Sequence, residues 1–223
     1  GRGTPDHTHA VAAVAAMKQG KHVYCEKPLT RTVHEARTMR LTAQEFKVVT
    51  QMGNQGSASE GVRRATEWGQ AGTAGPIEEA YLWVGDGKGP VTLPTDNPPV
   101  PDNLNWDLWL GPASERPYHP SYLPFTWRDW RHFGSGGLGD MGCHTGNFLF
   151  RVLRLQELWE SAPDGPKDAR LIKIDGEATG VHEEGYPQST RVHFYVPARG
   201  DLPPVKLTVS APAETRPAKE LLH

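Results

Sequence analysis

Gly20-Lys21-His22-Val23-Tyr24-Cys25-Glu26-Lys27-Pro28-Leu29 is the stretch on which the fold turns. Its centre, His22 to Glu26, reads as a short strand, and Pro28 beyond it biases Lys27 towards extended backbone, so the lysine is held at the strand tip. On the amino-terminal side, Ala10-Val11-Ala12-Ala13-Val14-Ala15-Ala16-Met17-Lys18-Gln19 is a strong helix former. Pro5 suits its first turn, Lys18 its last and Gly20 the position after it. On the other side, Thr32-Val33-His34-Glu35 is a capping box opening a helix to about Phe46. Lys47-Val48-Val49-Thr50-Gln51 follows as a second strand, and a further helix runs from about Ser59 to Gln70. Helix, strand, helix, strand, helix is the alternation of a parallel sheet covered on both faces. Two strands are too few for such a sheet, which predicts that the chain is the tail of a larger domain whose earlier units are missing.

From Ile77 the alternation stops. Ile77 to Val84 is strand-like, and Gly85 to Pro124 is rich in Gly, Pro, Asn and Asp. Trp106, Trp109, Tyr118 and Tyr122 within it have large apolar faces that favour packing, so the segment reads as an ordered binding loop. Phe148 to Leu155 then looks like a buried helix, and Ala169 to Ala178, Ser189 to Val196 and Val205 to Ala211 look like strands of a mostly antiparallel sheet. The expected fold class is therefore α/β followed by α+β.

The 223 residues carry 24 Lys+Arg against 26 Asp+Glu, a formal charge of -2, so composition offers no broad basic surface for nucleic acid or anionic membrane. No run approaches the ~20 apolar residues of a spanning helix. The first residues lack the charged start, apolar run and cleavage site of a signal peptide. Cys25 and Cys143 cannot make a disulfide framework, and neither belongs to a C-x-x-C pair. A cytoplasmic protein without nucleic-acid or membrane partners is expected, though an export signal ahead of Gly1 would change that address.

Four motifs carry chemistry, each against a plainer alternative. Gly134-Ser135-Gly136-Gly137-Leu138-Gly139 matches G-x-G-x-x-G, with Glu157 and Glu160 near the acidic offset of a dinucleotide fingerprint. That fingerprint needs a buried apolar strand just before it, and Trp127-Arg128-Asp129-Trp130-Arg131-His132-Phe133 is not one. A flexible lead into the next helix is the better reading. His7 and His9, with Cys143-His144, suggest a transition metal, but the spacing is not the i, i+4 of a helical pair and no third ligand is placed. No metal is expected, and surface or helix-start histidines are the alternative. Glu26-Lys27-Pro28 lies at the carboxyl end of a predicted parallel strand, where open α/β sheets place ligands, which raises Lys27 above an ordinary solvated lysine. Asp140 and His144 are four apart, so on a helix the carboxylate can meet the imidazole and set its tautomer. A capping aspartate with an incidental histidine is the rival there.

Taken together, Thr4-Pro5-Asp6-His7-Thr8-His9-Ala10, the Gly20 to Leu29 stretch and Gly136-Gly137-Leu138-Gly139-Asp140-Met141-Gly142-Cys143-His144 resemble the glucose-fructose oxidoreductase, inositol dehydrogenase and MocA (Gfo/Idh/MocA) family of nicotinamide-dependent oxidoreductases. Gln51-Met52-Gly53-Asn54-Gln55-Gly56, Trp106-Asp107-Leu108-Trp109-Leu110-Gly111-Pro112 and Trp127-Arg128 are similar to a bacterial branch with a long aromatic insertion, so the likeness runs from Thr4 to about Pro204. The resemblance implies a partial NAD(P)-binding Rossmann domain over residues 1–56. Residues 57–223 would then be an α+β substrate and oligomerisation domain, an open and mostly antiparallel sheet with helices on one face. It implies NAD or NADP along Thr4, Pro5 and His9, with Glu26 and Lys27 beside the nicotinamide, Gln51 and Asn54 near it or the substrate, and Trp127 and Arg128 closing over the cofactor. Lys27, Asp140 and His144 match the family's catalytic lysine, aspartate and histidine. Asn147 stands where members often carry Asp, and the family's amino-terminal G-x-G-x-x-G and acidic ribose residue have no counterpart before Thr4. Three βα units, roughly 90 residues at ~30 each, are therefore expected to be missing, and the last sheet strands also.

The expected activity is reversible hydride transfer between NAD(P) and a sugar or polyol hydroxyl carbon, in a homo-oligomer whose partner molecule is that small substrate. The alternative is a catalytically inactive fragment acting only as a substrate-binding or assembly module.

Overall fold

A computed structural model describes residues 4–85, 91–160 and 171–211. They form two compact units. The first comprises residues 4–54, 91–140 and 181–186, and the second comprises 55–85, 141–160, 171–180 and 187–211. One break between the units follows Asn54, and residues 91–140, grouped by sequence with the second domain, pack in the first unit.

In the first unit a 3₁₀ turn, Asp6–Thr8, leads into α1 (His9–Lys18), followed by β1 (Val23–Glu26), α2 (Val33–Glu45) and β2 (Thr50–Gly53). The strands pair in parallel, Val23 opposite Thr50 and Glu26 opposite Gly53. The capping box at Thr32 and Glu35 forms reciprocally, as expected. Helix α2 ends at Glu45 with Phe46 as its cap, as expected, but the residue after the cap is unusual. Lys47 has φ 53, and Val48 N–H donates to the Ala43 carbonyl at 3.1 Å, a left-handed stop in which lysine takes the place usual for glycine. Strand β2 consequently begins at Thr50 and not Lys47. Ala10, Ala13, Met17, Cys25 and Met39 make the core between α1, β1 and α2.

The long loop of the same unit is ordered around aromatic rings. Helix α4 (Trp106–Leu110) and two 3₁₀ turns, Pro120–Tyr122 and Thr126–Asp129, surround a second core of Leu110, Tyr122, Trp127, Trp130 and Phe133. Trp106 stacks on Trp109 at 4.9 Å, and Tyr122 meets Trp130 edge-on at 4.7 Å. Residues 181–186 complete the unit through an antiparallel bridge between Trp130 and Gly185.

The second unit holds α3 (Glu60–Gln70), capped by Ser59, then β3 (Glu79–Trp83), most of α5 (Gly136–Val152), α6 (Glu157–Glu160), β4 (Lys173–Thr179), β5 (Ser189–Val196) and β6 (Val205–Ala211). The sheet order is β3-β6-β5-β4, with β3 parallel to β6 and the other pairs antiparallel. Alternation sorts its faces. Phe194, Val196, Val205 and Leu207 pack with Leu153 and Leu158, while on the other face Lys173 and Lys206 lie over the Tyr195 ring. Of the expected Ala169 to Ala178 strand, residues 169 and 170 lie outside the described residues, and β4 begins at Lys173.

Candidate functional site

Lys27 follows β1 directly, and its ammonium is drawn inward, not left in solvent. Its Nζ donates to the Asp140 main-chain carbonyl at 2.8 Å and forms an ion pair with Asp140 Oδ1, the two side chains being 17% and 12% exposed. Asp140 is the fifth residue of α5, so it is no helix cap, and the capping alternative for it falls. A second cation approaches the same carboxylate, with Arg128 Nε 3.9 Å from Asp140 Oδ2. The Arg128 guanidinium is clamped between the Trp127 and Phe125 rings, 4.1 and 4.2 Å from their centroids. Lys27, Asp140, Trp127 and Arg128, all among the expected site residues, thus form one cluster. His144 lies one turn further along α5.

Gly134, Gly136 and Gly139 of the Gly134 to Gly139 run serve packing. A Cβ at Gly134 would lie 2.7 Å from the Arg128 backbone, one at Gly136 would lie 2.5 Å from the Tyr186 ring, and one at Gly139 would lie 2.5 Å from Ser135 Cβ. Gly136 also has φ 65, which L side chains rarely adopt. No strand precedes the run; it leads out of the Thr126–Asp129 turn into α5.

His7 and His9 stand in the opening turn and at the start of α1, as the plainer alternative had them, but both are buried and not on the surface. His7, 1% exposed, has Trp109 and Phe133 carbonyls 3.1 and 3.3 Å from its ring nitrogens, and burial lowers its pKa. His9, 5% exposed, has the Pro28 carbonyl 2.8 Å from Nδ1 and the Thr4 carbonyl 2.9 Å from Nε2. At those shorter distances both carbonyls accept from the His9 ring, which then carries both protons as an imidazolium. Burial alone would lower its pKa, but the Cys25 thiol and the Pro28 and Thr4 carbonyls outweigh it, and the pKa rises to about 9.

Thr4, His9 and Glu26 line a groove of about 340 Å³ along the free side of β1, whose wall is flattened by Ala12, Ala13 and Ala16. Gln51 lies apart from them, lining a different groove between β2 and α2, with its Nε2 donating to the Met52 carbonyl. Asn54 is buried just beyond β2. Glu26 folds over Gly53, where a Cβ would come within 2.6 Å of its Oε2.

One participant was not read from sequence. Asp6, 2% exposed, accepts a hydrogen bond from Ser135 Oγ at 2.7 Å, immediately before α5. Burial raises its pKa against the Ser135 bond and the charge of His9. A partner 129 positions away leaves no local signal.

Comparison with known proteins follows the two halves of this arrangement. Residues 3–54 match the model described as oxidoreductase family, NAD-binding Rossmann fold, and residues 73–154 match oxidoreductase family, C-terminal alpha/beta domain. The chain is similar to levoglucosan dehydrogenase of Pseudarthrobacter phenanthrenivorans, 33% identical over 94 residues, which are 40% of this chain and 24% of that protein. It is also similar to 1,5-anhydro-D-fructose reductase of Ensifer adhaerens, 46% identical over 46 residues, 21% of this chain and 14% of that one. The solved structure of an inositol dehydrogenase homolog complexed with NAD+ from Azotobacter vinelandii shares the fold, with a TM-score of 0.59 at 19% identity, covering 96% of this chain and 45% of that one. The chain spans less than half the length of that structure.

Proposed function

Because the chain belongs to the Gfo/Idh/MocA oxidoreductase family, we propose that the protein transfers a hydride between NAD or NADP and the hydroxyl carbon of a sugar or polyol. The observation that carries this reading is the Lys27–Asp140 pair, a lysine held by a helix-borne carboxylate at the carboxyl end of a parallel strand. The names of the relatives, a levoglucosan dehydrogenase, an anhydrofructose reductase and an inositol dehydrogenase homolog, support a cyclic sugar or polyol.

The groove beside β1 fits part of a dinucleotide. Its alanine wall admits a flat group closely, its volume lies within the range of small-molecule sites, and cationic His9 suits an anionic ligand. Within a partial binding domain at residues 1–56, Thr4, Pro5 and His9 are proposed to lie along the cofactor, with Glu26 and Lys27 beside the nicotinamide and Gln51 and Asn54 near it or the substrate. Trp127 and Arg128, from outside that domain, close over the cofactor, and residues 57–223 otherwise carry substrate and subunit contacts. The bound nicotinamide supplies the hydride chemistry that no side chain can.

The side chains deal with the proton. A carbinol is too weak an acid to ionise unaided, so His144 takes the hydroxyl proton as general base, a role typically worth ~10²-fold to 10⁴-fold. Asp140, one turn back on α5, orients that imidazole. Lys27, already turned inward by Asp140, donates to the substrate oxygen and stabilises its developing negative charge.

The test is a fluorescence titration of NADH and NADPH, followed by turnover with a panel of sugars and polyols, for the wild type, Lys27→Met and His144→Ala. Each substitution should lower turnover by ~10² or more with dinucleotide affinity within a few-fold. Equal loss of cofactor affinity in Lys27→Met would make Lys27 a binding residue. A protein that bound neither dinucleotide and turned over nothing would instead be a substrate-binding or assembly module.

A further inference from the structure

Asp6 has no counterpart in the chemistry set out above, yet it is among the most deeply buried charged residues described. It opens a 3₁₀ turn whose preceding Pro5 makes no side-chain cap bond. An aspartate in a first turn ordinarily serves its own turn's N–H groups. Here its carboxylate instead receives the Ser135 hydroxyl from a segment 129 residues away.

The receiving end of that bond needs support. Helix α5 starts Gly136-Gly137-Leu138-Gly139, and glycine is the weakest helix former after proline, so its first turn is not self-sustaining. Gly136 and Gly139 are required by packing, and Gly139 in particular leaves the space in which Ser135 Oγ sits, 2.7 Å from where a Cβ would be. Asp140 ends that turn and holds Lys27. The contacts run without a gap from Asp6 to Ser135, through one glycine-rich turn to Asp140 and on to Lys27, all within one compact unit.

We propose that Asp6 is a positioning residue, which through Ser135 docks the first turn of α5 and thereby holds Asp140 against Lys27. The proposal rests on the reading of Lys27 and Asp140 as working groups, and it adds a residue that touches neither substrate nor cofactor. The charged groups facing Asp6 are His9 from α1, Asp140 from α5 and Arg128 from the preceding 3₁₀ turn, so the anchor sits in the same field as the pair it supports.

Three variants test it. Asp6→Asn keeps an acceptor for Ser135, whereas Asp6→Ala and Ser135→Ala remove the bond from either end. Two quantities are read: kcat with KM, and the side-chain ¹⁵N resonance of Lys27, assigned by its loss in Lys27→Met. Asp6→Ala and Ser135→Ala should lower kcat about tenfold or more with KM within about threefold, because the pair is misplaced and binding is not removed. In both, the Lys27 resonance should move to that of solvated lysines, and Asp6→Asn should keep both readouts near wild type. Ser135→Ala with an unchanged kcat and Lys27 signal would overturn the proposal, as would an Asp6→Asn protein as damaged as Asp6→Ala. If Asp6→Ala does not fold, the other two variants decide. If no sugar or polyol is turned over with either dinucleotide, the functional reading fails and the Lys27 resonance alone judges the positioning.

Discussion

His9 illustrates how one buried side chain ties solution conditions to the site. Its imidazolium joins the Thr4 carbonyl to the Pro28 carbonyl, fastening the start of the chain's first turn to the residue after Lys27. The pKa in the folded protein, about 9, lies above the ordinary 6.5, so folding favours the protonated ring. Its stabilising contribution is complete below about 6.5 and is lost as pH rises through about 9. The urea midpoint of the wild type should therefore fall between pH 6.5 and 9.5, by an amount equivalent to a few kcal/mol, on the order of what such a shift is worth. His9→Gln should start lower at pH 6.5 and lose less across that window. Parallel slopes for the two proteins would show that His9 is not the titrating group. Lys27 and Asp140 could each be named from a motif, but 113 positions separate them, and only the fold reveals that they bind one another.

At the scale of the element, α5 contains glycines of opposite consequence. Gly136 has φ 65 and faces the Tyr186 ring, so Gly136→Ala should destabilise the protein by about 2 kcal/mol through strain and overpacking. Gly142 lies mid-helix with nothing within 4 Å of a Cβ, so Gly142→Ala should stabilise by roughly 0.5–1 kcal/mol. Denaturant midpoints at constant m would read both, and matching signs would refute this account of the helix. What sequence revealed at this scale was whatever is written locally. The Thr32–Glu35 box and Gly20 past α1 are short-range signals and form as read, α3 runs from just after Ser59 to Gln70 as expected, and the β5 and β6 strands occupy the residues expected of them. What stayed hidden depends on distant partners or an unusual residue. Lys47 takes a left-handed conformation that glycine would have announced, and α5 begins at Gly136, ahead of its apolar run, where the Arg128 backbone at Gly134 and the Tyr186 ring at Gly136 leave room for glycine alone.

At the scale of the whole molecule, the parallel sheet has only β1 and β2 among the described residues, leaving strand edges with Tyr24 and Val49 exposed nearby. Strand β4, exposed along its whole length, ends the other sheet. Unpaired edges recruit further strands, so light scattering of the 223-residue chain should show mass rising with concentration, on the order of tens of micromolar. A constant monomer mass over that range would contradict this. The discontinuity of the first unit bears on something other than association, namely the order in which the chain can fold as it is made. Its residues 181–186 pack on the 91–140 segment, where the Tyr186 hydroxyl donates to the Gly134 carbonyl at 2.8 Å and the Arg131 N–H donates to the Glu184 carbonyl at 2.8 Å. The 46 residues from 140 to 186 occupy a ribosome for roughly 2 to 9 s at ~5–20 residues per second. Throughout that interval the nascent turn around Gly134 and Gly136 waits for the ring it packs against, so a chain arrested before Tyr186 emerges should be open to protease at that turn, and one arrested well after it should be resistant.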